Sequence, residues 1–371
     1  MSTGFSSSTG RSMNPERSVD PGTSVIGPPT GTATTAAGPP SPPESVALSM
    51  RAIQQRRYGG PDRLELADVE RPTPASGQVL VQVHAAGVDR GVWHLMTGLP
   101  LLVRLGFGLR RPRQPIPGLD LAGTIVKIGA DVTDFAVGDE VFGVGEGAYA
   151  EFAVADAAKL AHRPDVLAPE QAATLAISGG TAAQALFDVG RAEAGQRVLI
   201  LGASGGVGSF ATQIAHAYGL HVTGVASAAK ADAVRSFGAD VVLDYAADDF
   251  TTAGPFDLII DAGGRNPLRR LRRALTRTGT LVIVGGEGGG KVTGGFGRSL
   301  RALAMSPFVS QRLTMFLAAE KATAWAPVRE LAEAGRLVAP VDRIYPLAET
   351  AQAITDLTEG RIRGKAVIVV A

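Results

Sequence analysis

The stretch that most narrows what this chain can fold into is residues 198–224, VLILGASGGVGSFATQIAHAYGLHVTG. The apolar run 198–201 reads as a buried strand, and a glycine-dense turn follows at Gly202, Gly205, Gly206 and Gly208. Phe210, Ala211, Ile214, Ala215 and Tyr218 then recur at helical spacing, and 221–225 reads as a second strand. Strand, tight turn, helix and strand within about 30 residues is the pattern of a dinucleotide-binding βαβ unit. Glycine at 202, 205 and 208 permits the turn, lets backbone approach a pyrophosphate, and lets the helix pack close on the strand. The N–H groups at the helix start face the phosphates. The plainer alternative is a glycine-rich turn kept for packing; the strand and helix on either side favour a nucleotide site.

The remaining chain divides around this unit. Residues 1–49 are rich in Ser, Thr, Gly and Pro, have little to bury, and are expected to be disordered. They carry no apolar signal-peptide core; Arg11 and Arg17 among serines hint at a transit peptide, but Glu16, Asp20, Glu44 and the prolines oppose it. Met50 as the true start is the simpler reading. From there, short strands are expected at 51–57, 64–69, 78–86, 118–128, 140–144 and 148–154, the last closing a hairpin across Gly145-Glu146-Gly147. Short strands at turn-marked spacing suggest a small β-barrel. Residues 99–117 form a loop long enough to act as a flap over a cleft.

At Pro169 the period changes. Helices are expected at 169–176 and 181–189, and then strands and helices alternate to 284, which argues a parallel, doubly wound sheet. A last strand is expected within 309–317, helices at 326–334 and 347–358, and strands at 341–345 and 366–370. The final strand is apolar enough to rejoin the barrel.

Composition removes several function classes. Lys and Arg total 36 against 35 Asp and Glu, a net charge of +1, so nucleic acid is not an expected partner. There is no cysteine, hence no disulfide, no thiolate nucleophile and no cysteine-ligated metal. No apolar run approaches the roughly 18 residues of a membrane span, so no membrane partner is expected.

The residue pattern also selects among chemistries. An NAD site usually places an acid after its second strand to bond the ribose 2′-OH. Here Val225 is followed by Ala226, Ser227, Ala228, Ala229 and Lys230. A hydroxyl and an ammonium suit a 2′-phosphate, so NADPH is expected over NADH. Lys230 as a solvated first-turn lysine is the alternative. The five histidines, His84, His94, His162, His216 and His221, form no HxxxH or HExxH pattern, and no metal is expected. Ser204 does not sit in G-x-S-x-G. Residues 285–291, GGEGGGK, match a P-loop formally, but Val292 stands where Ser or Thr should bind magnesium and Gly294-Gly295 deny the following helix. Tyr218 and Tyr245 lack the lysine four residues on that short-chain dehydrogenases need.

With these motifs in place, residues 50–371 resemble the medium-chain dehydrogenase/reductase superfamily, in its zinc-independent quinone oxidoreductase branch. The resemblance rests on Tyr58-Gly59-Gly60-Pro61, Ala85-Ala86-Gly87-Val88, Pro117-Gly118-Leu119-Asp120-Leu121-Ala122-Gly123, Val137-Gly138-Asp139-Glu140-Val141-Phe142-Gly143, the Gly202 to Gly208 turn, and Gly364-Lys365-Ala366-Val367. It implies an α/β protein with a GroES-like β-barrel domain (50–175 and 325–371) interrupted by a Rossmann domain (176–324), with the site in the cleft between them. It implies that Thr181 approaches the nicotinamide, that Ser227, Lys230 and Tyr245 hold the 2′-phosphate, and that Gly263, Gly264, Gly285 and Gly286 line the cleft. Ser204, Gly205, Gly206, Val207 and Gly208 complete the cofactor set. Zinc-dependent relatives carry Cys where Asp89 stands and a His-Glu pair at Leu119-Asp120, so the zinc site is lost.

Close relatives read Val-Asn-Pro-x-Asp-Trp-His where this chain reads Val88-Asp89-Arg90-Gly91-Val92-Trp93-His94. An ionised carboxylate at 89 is expected to repel a developing enolate or hydroquinone anion, and to help only if protonated. Asp89, His94 and Tyr58 are the candidate catalytic residues; cleft packing for His94 and a barrel-core position for Tyr58 are their plainer alternatives. The resemblance implies hydride transfer from NADPH to a quinone or α,β-unsaturated carbonyl, in a cytoplasmic homodimer. A catalytically weak, crystallin-like NADPH-binding protein, or an accessory subunit docking through 1–49, are the other readings.

Overall fold

The computed structural model describes residues 49–286 and 290–370. The expectations for 1–48 lie outside the described residues, as do 287–289 of the glycine loop.

Strands β1 (Ser49–Gln54) and β2 (Glu65–Glu70) pair antiparallel. The barrel sheet follows with β3 (Gln78–Val88), β4 (Asp120–Ile128), β5 (Glu140–Val144), β6 (Phe152–Asp156) and β7 (Leu160–His162). β3 is the longest of these, and its Val79, Val81 and Val83 point into a core with Leu121, Ile125 and Tyr149. The hairpin expected across 145–147 does not form. β5 pairs with β4 and β7, while β6 crosses the barrel to pair with β3. An isolated bridge between Glu146 and Val154 is what remains of the hairpin. The reason is the second edge of β3: its N–H and C=O groups need partners, and crossing over lets β6 supply them.

The helices expected at 169–176 and 181–189 merge into one helical stretch. Pro169–Ala172 and Gly180–Gln184 are α-helical, and Leu175–Gly179 and Ala185–Val189 are π-helical turns. Such wide turns gather at functional sites; the first carries Ser178, and Thr181 follows it in the α-helical segment. The parallel sheet comprises β8 (Arg197–Leu201), β9 (His221–Ala226), β10 (Val241–Asp244), β11 (Phe256–Asp261), β12 (Leu275–Ile283) and β13 (Arg312–Met315). Among the described residues its order is β10-β9-β8-β11-β12-β13, all parallel. This is the doubly wound order, with its switch point between β8 and β11, where ligands lie beyond the carboxyl ends of the strands. β8 is buried on both faces, as a central parallel strand should be: Val198 and Ile200 join one core, Leu199 and Leu201 the other.

The helix Ala322–Glu333 places Trp325 and Val328 in the core with Phe210 and Ile214. The expected boundary at 325 falls within this helix, whose Trp325 also packs against Phe142 of the barrel. β14 (Val341–Pro346) and β15 (Lys365–Val369) return to the barrel, where β15 pairs antiparallel with β3.

Candidate functional site

The glycine turn leaves β8 and opens the helix Gly206–Ala217, whose N-cap is Gly205 with no side-chain cap. Its first N–H groups are thus left for a ligand. The close approach is real: a Cβ on Gly208 would sit 2.1 Å from the Gly202 carbonyl oxygen. The turn borders a cavity of about 980 Å³ between the parallel sheet and the barrel. Thr181, Gly202, Ser204, Gly205, Gly206, Val207, Gly208, Ser227, Lys230, Tyr245, Gly263, Gly285 and Gly286 line it as expected; Gly264 does not, its N–H being turned onto Asp261. A Cβ on Gly286 would meet nothing within 4 Å, so the backbone there faces open cavity. A glycine cradle, an uncapped helix start and a long cavity fit a dinucleotide.

At the far end of β9, Ser227 and Lys230 border the cavity with no acid between them. Lys230 Nζ donates to the carbonyls of Gly360 (2.7 Å) and Ile362 (2.5 Å), which ties this corner to the segment leading into β15. An ammonium has three N–H donors, so one is left for a phosphate oxygen. Burial pulls the Lys230 pKa below the usual lysine value, against the pull of Asp342. A bound phosphate would restore what burial takes away.

The barrel side of the cavity holds a buried charge cluster. Lys365 Nζ lies 2.5 Å from Asp89 Oδ1, 3.3 Å from Asp120 Oδ2 and 3.3 Å from Ser178 Oγ, and its side chain is 1% exposed. Ser178 Oγ donates to Asp89 Oδ1 at 2.8 Å, and the Ile177 N–H donates to Asp120 Oδ1 at 2.8 Å. Asp89 is the N-cap of the helix Arg90–Thr97 yet makes no side-chain cap bond, because its carboxylate is turned onto Lys365. Burial works to raise the Asp89 pKa, but Lys365 and the surrounding donors hold it below the usual value. Burial, and then the charge of Asp89, push Asp120 well above its usual value. Burial also opposes the charge on Lys365, and the two aspartates overcome it. Burial and the Asp89 charge thus favour the neutral form of Asp120, and Asp89 Oδ2, which has no other hydrogen-bond partner, is the oxygen its proton would reach. With Asp120 in that form, the Lys365 ammonium balances the Asp89 carboxylate. The nearby Tyr149, whose hydroxyl donates to the Gly87 carbonyl, is held well above its usual pKa by burial and by Asp89 and Asp120.

The Asp89 carboxylate is therefore set against the Lys365 ammonium inside a buried cluster rather than standing alone towards the cleft. Asp89 and His94 line the cavity; Tyr58 does not. The Tyr58 hydroxyl donates to the carbonyls of Phe107 (3.1 Å) and Gly108 (2.6 Å), and Arg104 lies over its ring at 4.4 Å. It holds the 99–117 loop and is too far committed there to deliver a proton in the cleft. His94 Nδ1 faces the Leu99 carbonyl at 3.0 Å. The sequence reading missed Ser178, Lys365 and the Asp261–Arg298 pair. Asp261 is fully buried at the end of β11, accepts from Arg298 and from the Gly264 N–H, and Arg298 also reaches the Asn266 and Gly285 carbonyls. One signal was available for Lys365: a lysine opening the apolar run KAVIV.

Comparison with known proteins agrees with this architecture. Residues 75–165 match the model described as alcohol dehydrogenase GroES-like domain, and 237–368 that described as zinc-binding dehydrogenase. Quinone oxidoreductase of Sus scrofa is 33% identical over 328 residues, covering 84% of this chain and 95% of the relative. That of Rattus norvegicus is 38% identical over 251 residues, covering 64% and 74%. The solved quinone oxidoreductase of Coxiella burnetii superposes with a TM-score of 0.77 at 27% identity, covering 87% of this chain and all (100%) of that one. A mycobacterial protein solved in complex with NADPH gives 0.74 at 27% identity, covering 86% and 100%.

Proposed function

Because the chain belongs to the medium-chain dehydrogenase/reductase superfamily, in its quinone oxidoreductase-like branch, we propose that it is a zinc-independent, NADPH-dependent reductase of quinones or α,β-unsaturated carbonyls. The observation that carries this reading is the continuity of one cleft, from the glycine cradle and the acid-free Ser227 and Lys230 corner to Asp89, Ser178 and His94.

When bound, NADPH supplies the hydride from its nicotinamide ring. The N–H groups of Gly206, Val207 and Gly208 would hold the pyrophosphate, and Ser227 and Lys230 the ribose phosphate. Asp261 and Arg298 fix the chain at Gly264 and Gly285, and Gly285 lines the cleft that would receive the cofactor. On the barrel side the neutral cluster gives the acceptor a buried floor that does not oppose the anion developing on a reduced carbonyl. His94, which lines the cleft with its Nδ1 against the Leu99 carbonyl, is the residue we assign to relaying a proton to the reduced acceptor. The zinc-independent part rests on Lys365. Its ammonium lies between Asp89 and Asp120, the positions where zinc-dependent relatives are expected to carry ligands, and a cation cannot share that space.

The test is NADPH oxidation by the purified protein with a para-benzoquinone and with a simple enone, with NADH in parallel and with and without a chelator. Turnover with either acceptor, preference for NADPH and indifference to chelation are expected. Tight NADPH binding without turnover on either acceptor removes the reductase reading. Loss of activity on chelation removes zinc independence.

A further inference from the structure

The 99–117 loop carries a feature that cofactor binding does not use. Between Asp89 and Asp120 the sequence contains no Asp or Glu, while Arg104, Arg110, Arg111 and Arg113 fall within it. The loop folds as Leu101–Val103 and Arg104–Phe107, two consecutive helical turns. It exposes Leu101, Leu102, Leu105, Phe107 and Leu109, the last of these 68% accessible. Arg110, Arg111 and Arg113 are exposed beside them. Burying none of five large apolar side chains in so short a segment is unusual for a loop that only connects strands.

The segment is also held in place. Tyr58 bonds the Phe107 and Gly108 carbonyls, and Arg104 donates to the Gly98 carbonyl at 3.0 Å while stacking on Tyr58. Gly108 has φ +116°, and a Cβ there would meet the Arg111 carbonyl oxygen at 2.2 Å, so the sharp turn that splays Phe107 and Leu109 outward is built in. The N–H groups of Leu101 and Leu102 bond the carbonyls of Lys291 and Val292 at 2.9 and 3.3 Å, which brings an exposed lysine and the half-exposed Val292 to the same rim. Pro100 and Val103, on the same turn, line the cleft.

We propose that this leucine- and arginine-bearing rim docks the protein on an anionic phospholipid surface, with the mouth of the cleft against the membrane. Apolar side chains flanked by arginines, with no acid among them, match an interface whose acyl boundary takes leucine and phenylalanine and whose headgroups are negative. A protein partner would need a complementary shape; a lipid surface needs only these two properties. Among the described residues no helix is long and apolar enough to cross a membrane, and an interfacial site needs none. The proposal is separate from the hydride-transfer reading and is tested without measuring activity.

The experiment is flotation of the full chain with vesicles of phosphatidylcholine alone or mixed with phosphatidylglycerol, at low and high salt, with light scattering to give the oligomeric state. Wild type is expected to float with the anionic vesicles and much less with the neutral ones, and to be released by salt. The R110Q/R111Q variant should bind about 25-fold more weakly, at about fivefold per arginine. The L105S/L109S variant should lose about tenfold or more at either salt. NADPH binding by both variants should be unchanged, which controls for folding. No binding of wild type to anionic vesicles overturns the proposal. So does binding that both variants retain, which would assign it to another surface. So does a wild-type dimer that L105S/L109S converts to monomer, which would make the rim a subunit interface.

Discussion

Replacing Lys365 by methionine tests the charge balance of the cleft floor. The substitution keeps most of the side-chain volume and removes the ammonium 2.5 Å from Asp89 Oδ1 and 3.3 Å from Asp120 Oδ2. Asp89 is then a buried carboxylate left with Ser178 and the Asp120 proton. Breaking a buried pair by removing one partner costs about 3–5 kcal/mol, a large share of the roughly 5–15 kcal/mol that holds a domain together. At about 2–4 °C per kcal/mol for a domain of this size, Tm should fall by about 6–20 °C. Asp89→Asn should cost less, because Asp120 can give up its proton and serve Lys365 in place of Asp89. The double variant Asp89→Asn/Lys365→Met removes both charges and leaves Asp120 neutral, so it should recover at least ~2 kcal/mol of the single-lysine loss. The pH dependence has a definite sign. Asp89 has a folded pKa below its unfolded value, so its contribution is present above the unfolded pKa and is lost as pH falls through the folded one. Without Lys365 its folded pKa rises instead, and protonation relieves the variant in acid. The stability gap between wild type and Lys365→Met should therefore be widest near neutrality and narrow towards pH about 4. Denaturant melts of the four proteins across that range measure it. Additive losses, or a Lys365→Met cost below ~1 kcal/mol, would refute the neutral-cluster account.

Other expectations follow from the cleft. Lys230→Ala should weaken NADPH about tenfold or more while barely changing NADH, measured by calorimetric titration; an equal loss for both would remove Lys230 from the 2′-phosphate site. Gly208→Ala places a methyl 2.1 Å from the Gly202 carbonyl oxygen, so it should lower Tm and abolish cofactor binding; retained affinity would show that the turn relaxes freely. Arg298→Met leaves the fully buried Asp261 without its cation, and cofactor KM should rise about tenfold, more at neutral pH than in acid, where Asp261 takes up a proton. The sign follows from burial, which raises the Asp261 pKa even with Arg298 present and raises it further without it. A pH-independent KM would count against that linkage.

The elements that local sequence determines are legible in the sequence itself. The βαβ unit at 198–224 declares itself because apolar period, glycine spacing and helix start all lie within a few residues of one another. The alternation of strands and helices then implies a parallel sheet, and the position of Ser227 and Lys230 follows from the strand that precedes them. What failed to be legible depends on distant chain. β6 looked like the return arm of a hairpin because only the short glycine turn before it was visible; the open edge of β3 that captures it is set by the closed barrel. Tyr58 looked like a cleft residue from its motif, yet the 99–117 loop claims its hydroxyl. Asp89 changed meaning most. By sequence it is a lone carboxylate facing a developing anion. Only the tertiary structure brings Lys365 to it across 276 residues, with Asp120 and Ser178 closing the cluster. The charge of a buried group is settled by what else is buried with it, and no local pattern records that company.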